Sequence, residues 1–524
     1  TVTIDGTVAP GDVIVRGTGY TLSGGTIDST GSLRVHSGAS ATLTQSATFA
    51  GGVTVDGDLT YDVAAGQEIS FTGTIAGGGT LTKTGEGTLN LGVYKDNNIA
   101  TSLQVNEGVL KFTGYSSEHP VSYNTHPFIS ILKKLETSGT GKLLVNGDVM
   151  YNLTQDNPPA ADSVITIDDR IEITGKLQIN SWATNNAPDG DGYRKYVLAN
   201  GADLTVGGLL WLTNKQKMVV QSGAVLNANG GIRLGYDGTG QDRTARFVVE
   251  GGEVKTSGII FRRDGNPRTG NAFIMSGGRV EFAPASAATN VIQKLNDGAN
   301  GTGAIENGEV SLTGGTLVAK DSSWLMDAGN ATNFHVYGVT FETAADKSIT
   351  LAGNINFTPA EGANGTITKT GEGLLVFNTS NTTLSGLDIQ GGWVQAQQAI
   401  TLSTLTLADG AGFAYDLNAT PKIVTAATYT DNLNFRLDNL TLGSYNVFQG
   451  SAEGNWTAEN VTLSGYNTDM YTVTVSSQAG LVSLNVAYAG LLWDTDFSTN
   501  NTWVAADGET SWNGGENTEN VAYS

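Results

Sequence analysis

Residues 247–254 read FVVEGGEV and residues 273–280 read FIMSGGRV, so a pattern of apolar strand, glycine turn and second strand recurs within a short stretch of chain. The same pattern occurs earlier as VLANGADL (197–204) and VVQSGAVL (219–226). Successive glycine turns are roughly 20–30 residues apart, which is the length of one coil in a solenoid of stacked repeats. The sequence therefore predicts a repeat architecture.

Apolar residues alternate with polar ones between the glycine turns, as at Val53 and Val55 or Leu405 and Leu407. A period of two residues is typical of strands with one buried face. No helical stretch separates one repeat from the next, which disfavours leucine-rich and helical solenoids, and weak hairpin signals disfavour a sandwich. The predicted fold class is all-β, a parallel β-helix or β-solenoid.

Composition agrees with a repetitive fold rather than with one compact core. The chain has 524 residues, well beyond the ~250–300 at which a single core stops growing. Glycine contributes 70 residues and charged residues only 15%, below the ~25% of an average globular domain. Eight Trp, 17 Tyr and 16 Phe argue against a disordered low-complexity chain.

The charge balance excludes one class of function. Acidic residues number 50 against 28 basic ones, and the resulting net charge of −22 repels nucleic acid and anionic membranes. No run approaches the ~18 apolar residues of a membrane-spanning helix. The chain opens at Thr1 without a signal segment, so we expect a mature or excised portion of a longer protein.

Two segments depart from the strand pattern. Residues 126–136 (HPFISILKKLE) and 287–295 (AATNVIQKL) space their apolar side chains as a helix does. We therefore predict two short helical loop insertions that leave the coils.

A longer repeat links distant parts of the chain. Residues 80–89 read TLTKTGEGTL and residues 366–375 read TITKTGEGLL; downstream, LQVNEG (103–108) parallels LDIQGG (387–392). The glycines that bracket Glu86, and those that bracket Glu372, suit a sharp corner where positive φ or close backbone approach is needed. The structural repeat motif comprises Lys83, Gly85, Gly87, Lys369, Gly371 and Gly373.

Lys83 and Lys369 share strand parity with Leu81 and Ile367, which places them on the apolar side of their strands. A functional lysine is one interpretation. The favoured one is that the aliphatic stem packs against the core while the ammonium group caps turn carbonyls.

This block resembles the passenger-associated transport repeat of bacterial autotransporters. The family's pattern is a glycine-rich lead, then Leu-Thr-Lys-Thr-Gly-x-Gly-Thr-Leu, a strand and a Gly-x-Leu turn. The first copy keeps it, and the second departs from it at Leu374, which replaces the last Thr, and at Ile367 and Val394, which replace leucines. The resemblance implies a right-handed, pectin-lyase-like parallel β-helix. It also implies an autotransporter passenger of type V secretion that serves as an elongated structural or adhesive rod.

The same resemblance implies a location and partners. The chain would be extracellular or on the bacterial cell surface, anchored in the outer membrane through a translocator of the full-length protein, or released. A host or matrix glycan, or a surface protein, would be its partner as an adhesin. Uncapped terminal coils would also favour end-to-end self-association.

Trp493, Trp503 and Trp512 lie in a tail that resembles the tryptophan-rich joint between successive passenger modules. The predicted organisation is a β-helix passenger over residues 1–489 and a joint or capping tail over residues 490–524. Packing within this irregular tail is favoured over a role for the tryptophans as sugar platforms.

Parallel β-helices also include enzymes that act on acidic polysaccharides, either as lyases or as hydrolases. The candidate acids are Asp162, Asp168, Asp169 and Glu172, which lie beside Arg170. Asp168 and Asp169 are adjacent and would point to opposite faces of a strand, so they would not bind one ion together without a bend. No known catalytic motif occurs, and we predict no catalytic residue, cofactor or metal site.

Arginines are concentrated in one region of the chain. Seven of them occur between residues 233 and 279: Arg233, Arg243, Arg246, Arg262, Arg263, Arg268 and Arg279. Stacking of the coils would align several of them, and such a wall would bind a sulfated or sialylated glycan through bidentate contacts. The candidate ligand-binding residues are Arg233, Arg262, Arg263, Arg268 and Arg279. Acidic residues in the same span make ion pairing between coils the favoured alternative.

Overall fold

The computed structural model describes most of the chain, and every regular element in the described residues is a β-strand. The described residues are 1–70, 75–93, 101–113, 135–153, 164–181, 193–235, 244–262, 271–286, 289–295, 308–380, 382–419, 421–429, 432–450, 459–489, 492–493, 502–504 and 511–513. They form two compact units, Thr1–His335 and Val336–Ser524, and the strand Phe334–Val336 spans the boundary. Among these elements there is no helix long and apolar enough to cross a membrane.

The first part of unit 1 contains two stacks of parallel strands. One stack comprises Val2–Val8, Tyr20–Ser29, Ser40–Leu43, Asp58–Asp62, Thr80–Thr84, Ser102–Val105 and Leu135–Thr137, with Ala47–Phe49 also paired to Tyr20–Ser29. The other comprises Val13–Val15, Leu33–Val35, Val53–Val55 and Ile75–Ala76.

Unit 1 also contains three further stacks of parallel strands, here called faces 1, 2 and 3. Face 1 comprises Glu68–Ser70, Thr88–Val93, Val109–Thr113, Lys142–Asn146, Arg170–Ile173, Asp203–Val206, Val225–Ala228, Glu253–Thr256, Arg279–Phe282 and Thr316–Ala319. Face 2 comprises Val149–Leu153, Leu177–Ser181, Leu210–Leu212, Ile232–Leu234, Ile259–Arg262 and Ile292–Leu295. Face 3 comprises Val164–Ile167, Arg194–Leu198, Gln216–Val220, Ala245–Val249, Ala272–Met275 and Glu309–Leu312. A further parallel pair in unit 1 is formed by the strands Thr289–Asn290 and Trp324–Asp327.

From Lys142 to Leu312, each turn of the chain contributes one strand to each face. Asp203–Val206 on face 1 is followed by Leu210–Leu212 on face 2 and Gln216–Val220 on face 3, after which the chain returns to face 1. Neighbouring strands within a face are parallel and in register, as in the pairing of Leu204 with Leu226. The prediction of an all-β parallel β-helix is confirmed by this arrangement.

The core consists of ladders of inward side chains. Leu204, Leu226 and Val254 follow one another on face 1 and are all buried. On face 3 the rings of Phe247 and Phe273 stack with centroids 5.9 Å apart. Identical strand positions therefore bury their side chains above one another, which is why the sequence pattern recurs coil after coil.

The prediction of a helix over residues 287–295 is wrong for its described part. Thr289–Asn290 and Ile292–Leu295 are strands on different stacks, and Val291 lies at the bend between them. Both Val291 and Ile292 are buried, because a chain that turns a corner directs consecutive side chains inward. That spacing resembles a helical pattern. The other predicted helix lies mainly outside the described residues, and its last two residues begin the strand Leu135–Thr137.

Unit 2 contains two main stacks of strands. One comprises Thr340–Thr343, Thr366–Thr370, Thr382–Ile389, Ile400–Leu407, Val424–Tyr429 and Gly443–Gln449, all parallel, followed by the antiparallel strands Leu481–Tyr488 and Tyr471–Gln478. The other comprises Ser348–Gly353, Leu374–Thr379, Trp393–Ala396, Gly412–Asp416, Leu433–Asp438 and Val461–Ser464, all parallel.

The tail of unit 2 forms a small antiparallel sheet. Its strands are Leu492–Trp493, Thr502–Val504 and Ser511–Asn513. Trp503 is the register partner of both Trp493 and Trp512, so the three tryptophans of the tail stand at the same register position of three adjacent strands.

Candidate functional site

The first lysine-glycine corner, formed by Lys83, Gly85 and Gly87, joins two neighbouring coils. Lys83 is almost fully buried, and its Nζ atom donates hydrogen bonds to the carbonyl oxygens of Thr84 at 2.7 Å and Gly85 at 2.6 Å. A third bond, at 3.3 Å, reaches the carbonyl oxygen of Glu107 in the next coil. The interpretation of a packed stem with an ammonium group on turn carbonyls matches this geometry.

The second corner, in unit 2, repeats the first atom for atom. Lys369 is fully buried, and Nζ donates to the carbonyl oxygens of Thr370 and Gly371, both at 2.7 Å. Its third bond, at 3.1 Å, reaches the carbonyl oxygen of Gly391 in the following coil. Two segments far apart in sequence thus build the same three-carbonyl cage around a lysine.

The corner glycines are required by close approach of the preceding coil. Gly85 and Gly371 both have φ +72°, and a Cβ atom on Gly371 would lie 2.3 Å from the carbonyl oxygen of Thr343. On Gly87 and Gly373 a Cβ atom would lie 2.3 Å and 2.2 Å from the nearest carbonyl oxygen of the preceding turn. Any side chain at these positions would push neighbouring coils apart.

Burial changes the titration of the two lysines. Desolvation lowers the pKa of Lys83, and the charges of Asp62 and Glu107 oppose that effect. Desolvation lowers the pKa of Lys369 to about 8, with an opposing contribution from Glu342. Neither ammonium group is placed for contact with a ligand, since both are enclosed within the fold.

Face 1 carries its charges in pairs on neighbouring coils. Lys142 contacts Glu172 at 2.5 Å, and Lys255 contacts Glu281 at 2.7 Å. Lys255 also reaches Asp321 at 3.1 Å, and these two carboxylates raise the pKa of Lys255. Ion pairs between coils therefore recur on the outward side of face 1.

The structure distributes the predicted arginines over different faces. Arg279 lies on face 1 with Glu253 as its register partner. Arg233 lies on face 2, where its guanidinium carbon is 5.0 Å from the centroid of the Trp211 ring, and Arg262 ends the next strand of that face. Arg243, Arg263 and Arg268 lie outside the described residues.

The candidate acids have structural hydrogen bonds. Asp168 is exposed and Asp169 is buried, and both lie in the turn between the strands Val164–Ile167 and Arg170–Ile173. Asp169 Oδ1 accepts from the Thr137 backbone N–H at 2.7 Å and from Thr137 Oγ1 at 3.0 Å. Burial nevertheless raises the pKa of Asp169. Asp162 lies outside the described residues, within which no group of acids and histidines is arranged to hold a metal ion.

Sequence reasoning missed a row of basic residues on face 3. Lys195 is the register partner of Lys217, and Lys217 is the register partner of Arg246, so three basic residues form a continuous row across three coils. Each stands two residues before a valine of the repeat pattern, at Val197, Val219 and Val248. Aligning the repeats on those valines is the signal that finds the row.

Comparison with known proteins adds no assignment to this geometry. Neither a protein-family model nor a curated protein matches the chain.

Proposed function

We propose that the chain is a surface-exposed or secreted autotransporter passenger region that acts as an elongated structural or adhesive scaffold. The observation that carries the proposal is the lysine-glycine corner. Lys83 and Lys369 stand in the sequence block that resembles the passenger-associated transport repeat, and each joins its own turn to the turn of the next coil. A repeated device that fastens coils serves a protein whose work depends on an intact stack.

The use of charged side chains also supports a scaffold over a polysaccharide lyase or hydrolase. Glu172 is paired with Lys142, and Asp169 accepts hydrogen bonds from Thr137. A lyase or hydrolase would require an acid and a base that converge on one exposed cleft. Glu172 and Asp169 instead hold neighbouring coils together.

The proposal includes a place and partners. The full-length protein would be anchored by an outer-membrane translocator, or its passenger would be released. As an adhesin it would contact a host or matrix glycan or a surface protein, and terminal coils would associate end to end with further modules.

The test is exposure on intact cells that express the full-length protein. Proteinase K, which does not cross the outer membrane, is added to intact and to lysed cells, and the chain is followed by antibody. Loss of the chain from intact cells, with a cytoplasmic control protein preserved, is the expected result. A chain that is degraded only after lysis would contradict surface display.

A further inference from the structure

Four asparagine-glycine pairs lie wholly within the described residues, and their asparagines are Asn146, Asn200, Asn229 and Asn364. In such a pair the backbone nitrogen of the glycine can attack the side-chain carbonyl carbon of the asparagine, and a glycine has no Cβ atom to hinder the approach. All four asparagines are exposed. Neither sequence nor exposure distinguishes the four sites, so any difference in their reactivity comes from the hydrogen bonds of the folded chain.

In three of the pairs a neighbouring coil holds the glycine N–H in a hydrogen bond. The nitrogen must lose this proton before it attacks, so the bond has to break first. Breaking it requires a local opening of the stack, which protects these three sites. The bonds run from Gly147 to Thr174 Oγ1 at 2.8 Å, from Gly201 to the Gly223 carbonyl oxygen at 3.2 Å and from Gly230 to the Gly208 carbonyl oxygen at 3.0 Å.

The fourth pair, Asn364 and Gly365, lacks this protection. The Gly365 N–H makes no hydrogen bond within the described part of the chain. Asn364 ends an exposed segment, residues 361–364, that leads into the strand Thr366–Thr370. The attacking nitrogen is therefore available without any opening of the stack, and water has access to the side chain that it attacks.

The side-chain carbonyl group of Asn364 is already oriented for the reaction. Asn364 Oδ1 accepts a hydrogen bond from the Thr366 N–H at 3.0 Å. The ring closed by this bond contains both Cγ of Asn364 and the nitrogen of Gly365, so the side chain is folded over the peptide group that attacks it. The same bond strengthens as negative charge develops on Oδ1 during the attack.

We propose that Asn364 is a site of spontaneous deamidation through a cyclic imide. The Gly365 nitrogen gives its proton to water and forms a bond to Cγ of Asn364. The Cγ–Nδ2 bond then breaks, and the side-chain nitrogen takes up a proton and leaves as ammonia. Water opens the resulting five-membered ring at either carbonyl group and yields aspartate or isoaspartate. Water is the only co-reactant, and the modification is independent of the scaffold function proposed above.

The modification alters the entry to the second lysine-glycine corner. Isoaspartate routes the main chain through the former side chain and so lengthens the backbone directly before Gly365. A Cβ atom on Gly365 would lie 2.6 Å from Ser385 Oγ and 2.8 Å from Cγ of Pro359, which leaves little room for a changed path. The next residues form the strand that carries Lys369. The isoaspartate product therefore disturbs the native path of the chain into this corner.

The experiment incubates the whole purified chain in neutral buffer, once folded and once unfolded in concentrated urea. Peptide mass spectrometry follows the conversion of amide to acid at each of the four asparagines, and isoaspartyl methyltransferase detects isoaspartate. The unfolded chain is the matched control. It contains the same four asparagine-glycine pairs, but the hydrogen bonds that distinguish them in the folded chain are lost.

We expect Asn364 to deamidate at least about tenfold faster than Asn146, Asn200 and Asn229 in the folded chain. In urea the four rates should come within about threefold of one another. Comparable rates at the four sites of the folded chain would overturn the proposal. So would an advantage of Asn364 that persists unchanged in urea, because the fold would then not be its cause. Aspartate without any isoaspartate at position 364 would exclude the cyclic imide.

Discussion

The Nζ atom of Lys369 donates a hydrogen bond to the carbonyl oxygen of Gly391, 3.1 Å away in the next coil. In unit 1, Lys83 makes the equivalent bond to Glu107. Strand pairing already joins these coils through backbone hydrogen bonds, so the lysine adds a side-chain bond at the corner, where the ladder is interrupted. This corner is the feature on which the scaffold proposal rests.

Replacement of Lys369 by methionine should destabilise unit 2. The methionine side chain fills the stem's place, but it leaves the carbonyl oxygens of Thr370, Gly371 and Gly391 without their donor. The loss of donors outweighs the relief of a buried charge, and we expect a net cost of about 1 kcal/mol. Urea unfolding measures it. Lys422→Met, at an exposed position of the same unit, is the control and should change stability by less than about 0.5 kcal/mol.

Gly371→Ala should be more costly than Gly362→Ala. Both glycines have positive φ, +72° and +77°, so both variants incur the strain of a left-handed residue, about 1 kcal/mol. Only at Gly371 does the new Cβ atom meet the preceding coil, 2.3 Å from the Thr343 carbonyl oxygen. Overpacking adds about 1–3 kcal/mol. Equal melting temperatures for the two variants would show that close approach of the coils does not require this glycine.

The pKa of Lys369 gives a pH dependence with a definite sign. It is about 8 in the folded chain against an ordinary value of 10.5, so between these values the unfolded chain binds a proton that the folded chain lacks. Stability therefore rises with pH in this window, by about 1.4 kcal/mol per pH unit at most. The free energy of unfolding of the wild type should therefore rise relative to that of Lys369→Met as the pH increases from 8 to 10.5. A constant difference between the two proteins across that range would contradict the depressed pKa.

Asp169 should show the opposite dependence at acidic pH. Burial raises the pKa of Asp169, so above pH 3.8 the folded chain retains a proton that the unfolded chain has lost. Its contribution to stability then falls as pH rises through that window. Asp169→Asn keeps the Oδ1 acceptor for Thr137 and removes the titration. The melting temperature of the Asn variant should therefore rise relative to that of the wild type as the pH increases from 3 to 7. A constant difference in melting temperature between the two proteins from pH 3 to pH 7 would contradict the raised pKa of Asp169.

The coil architecture was predictable because its physical basis is local. Each coil needs a glycine turn and alternating apolar residues, and both are visible in residues 247–254 and 273–280. The corner at Val291 and Ile292 was misread because a bend buries consecutive side chains, which imitates the spacing of a helix. Local patterns therefore predict straight strands better than corners.

The charged surface was less predictable because it depends on register between coils. Arg233 and Arg279 are in one arginine-rich segment of sequence, yet the coil path puts them on different faces. The row of basic residues on face 3, in contrast, joins residues that are separated by more than twenty positions. Which charges meet depends on the face and the register position of each residue. Both follow from the path of the chain through the coils.

The most direct test of the lysine corner is amide hydrogen exchange on Lys369→Met, followed by mass spectrometry. The account predicts faster exchange in the two coils that Lys369 joins, over residues 366–396. Residues 80–113, around the intact Lys83 corner of the same molecule, should exchange at the wild-type rate. Unchanged exchange over 366–396, or an equal increase in both regions, would contradict the claim that this lysine fastens one coil to the next.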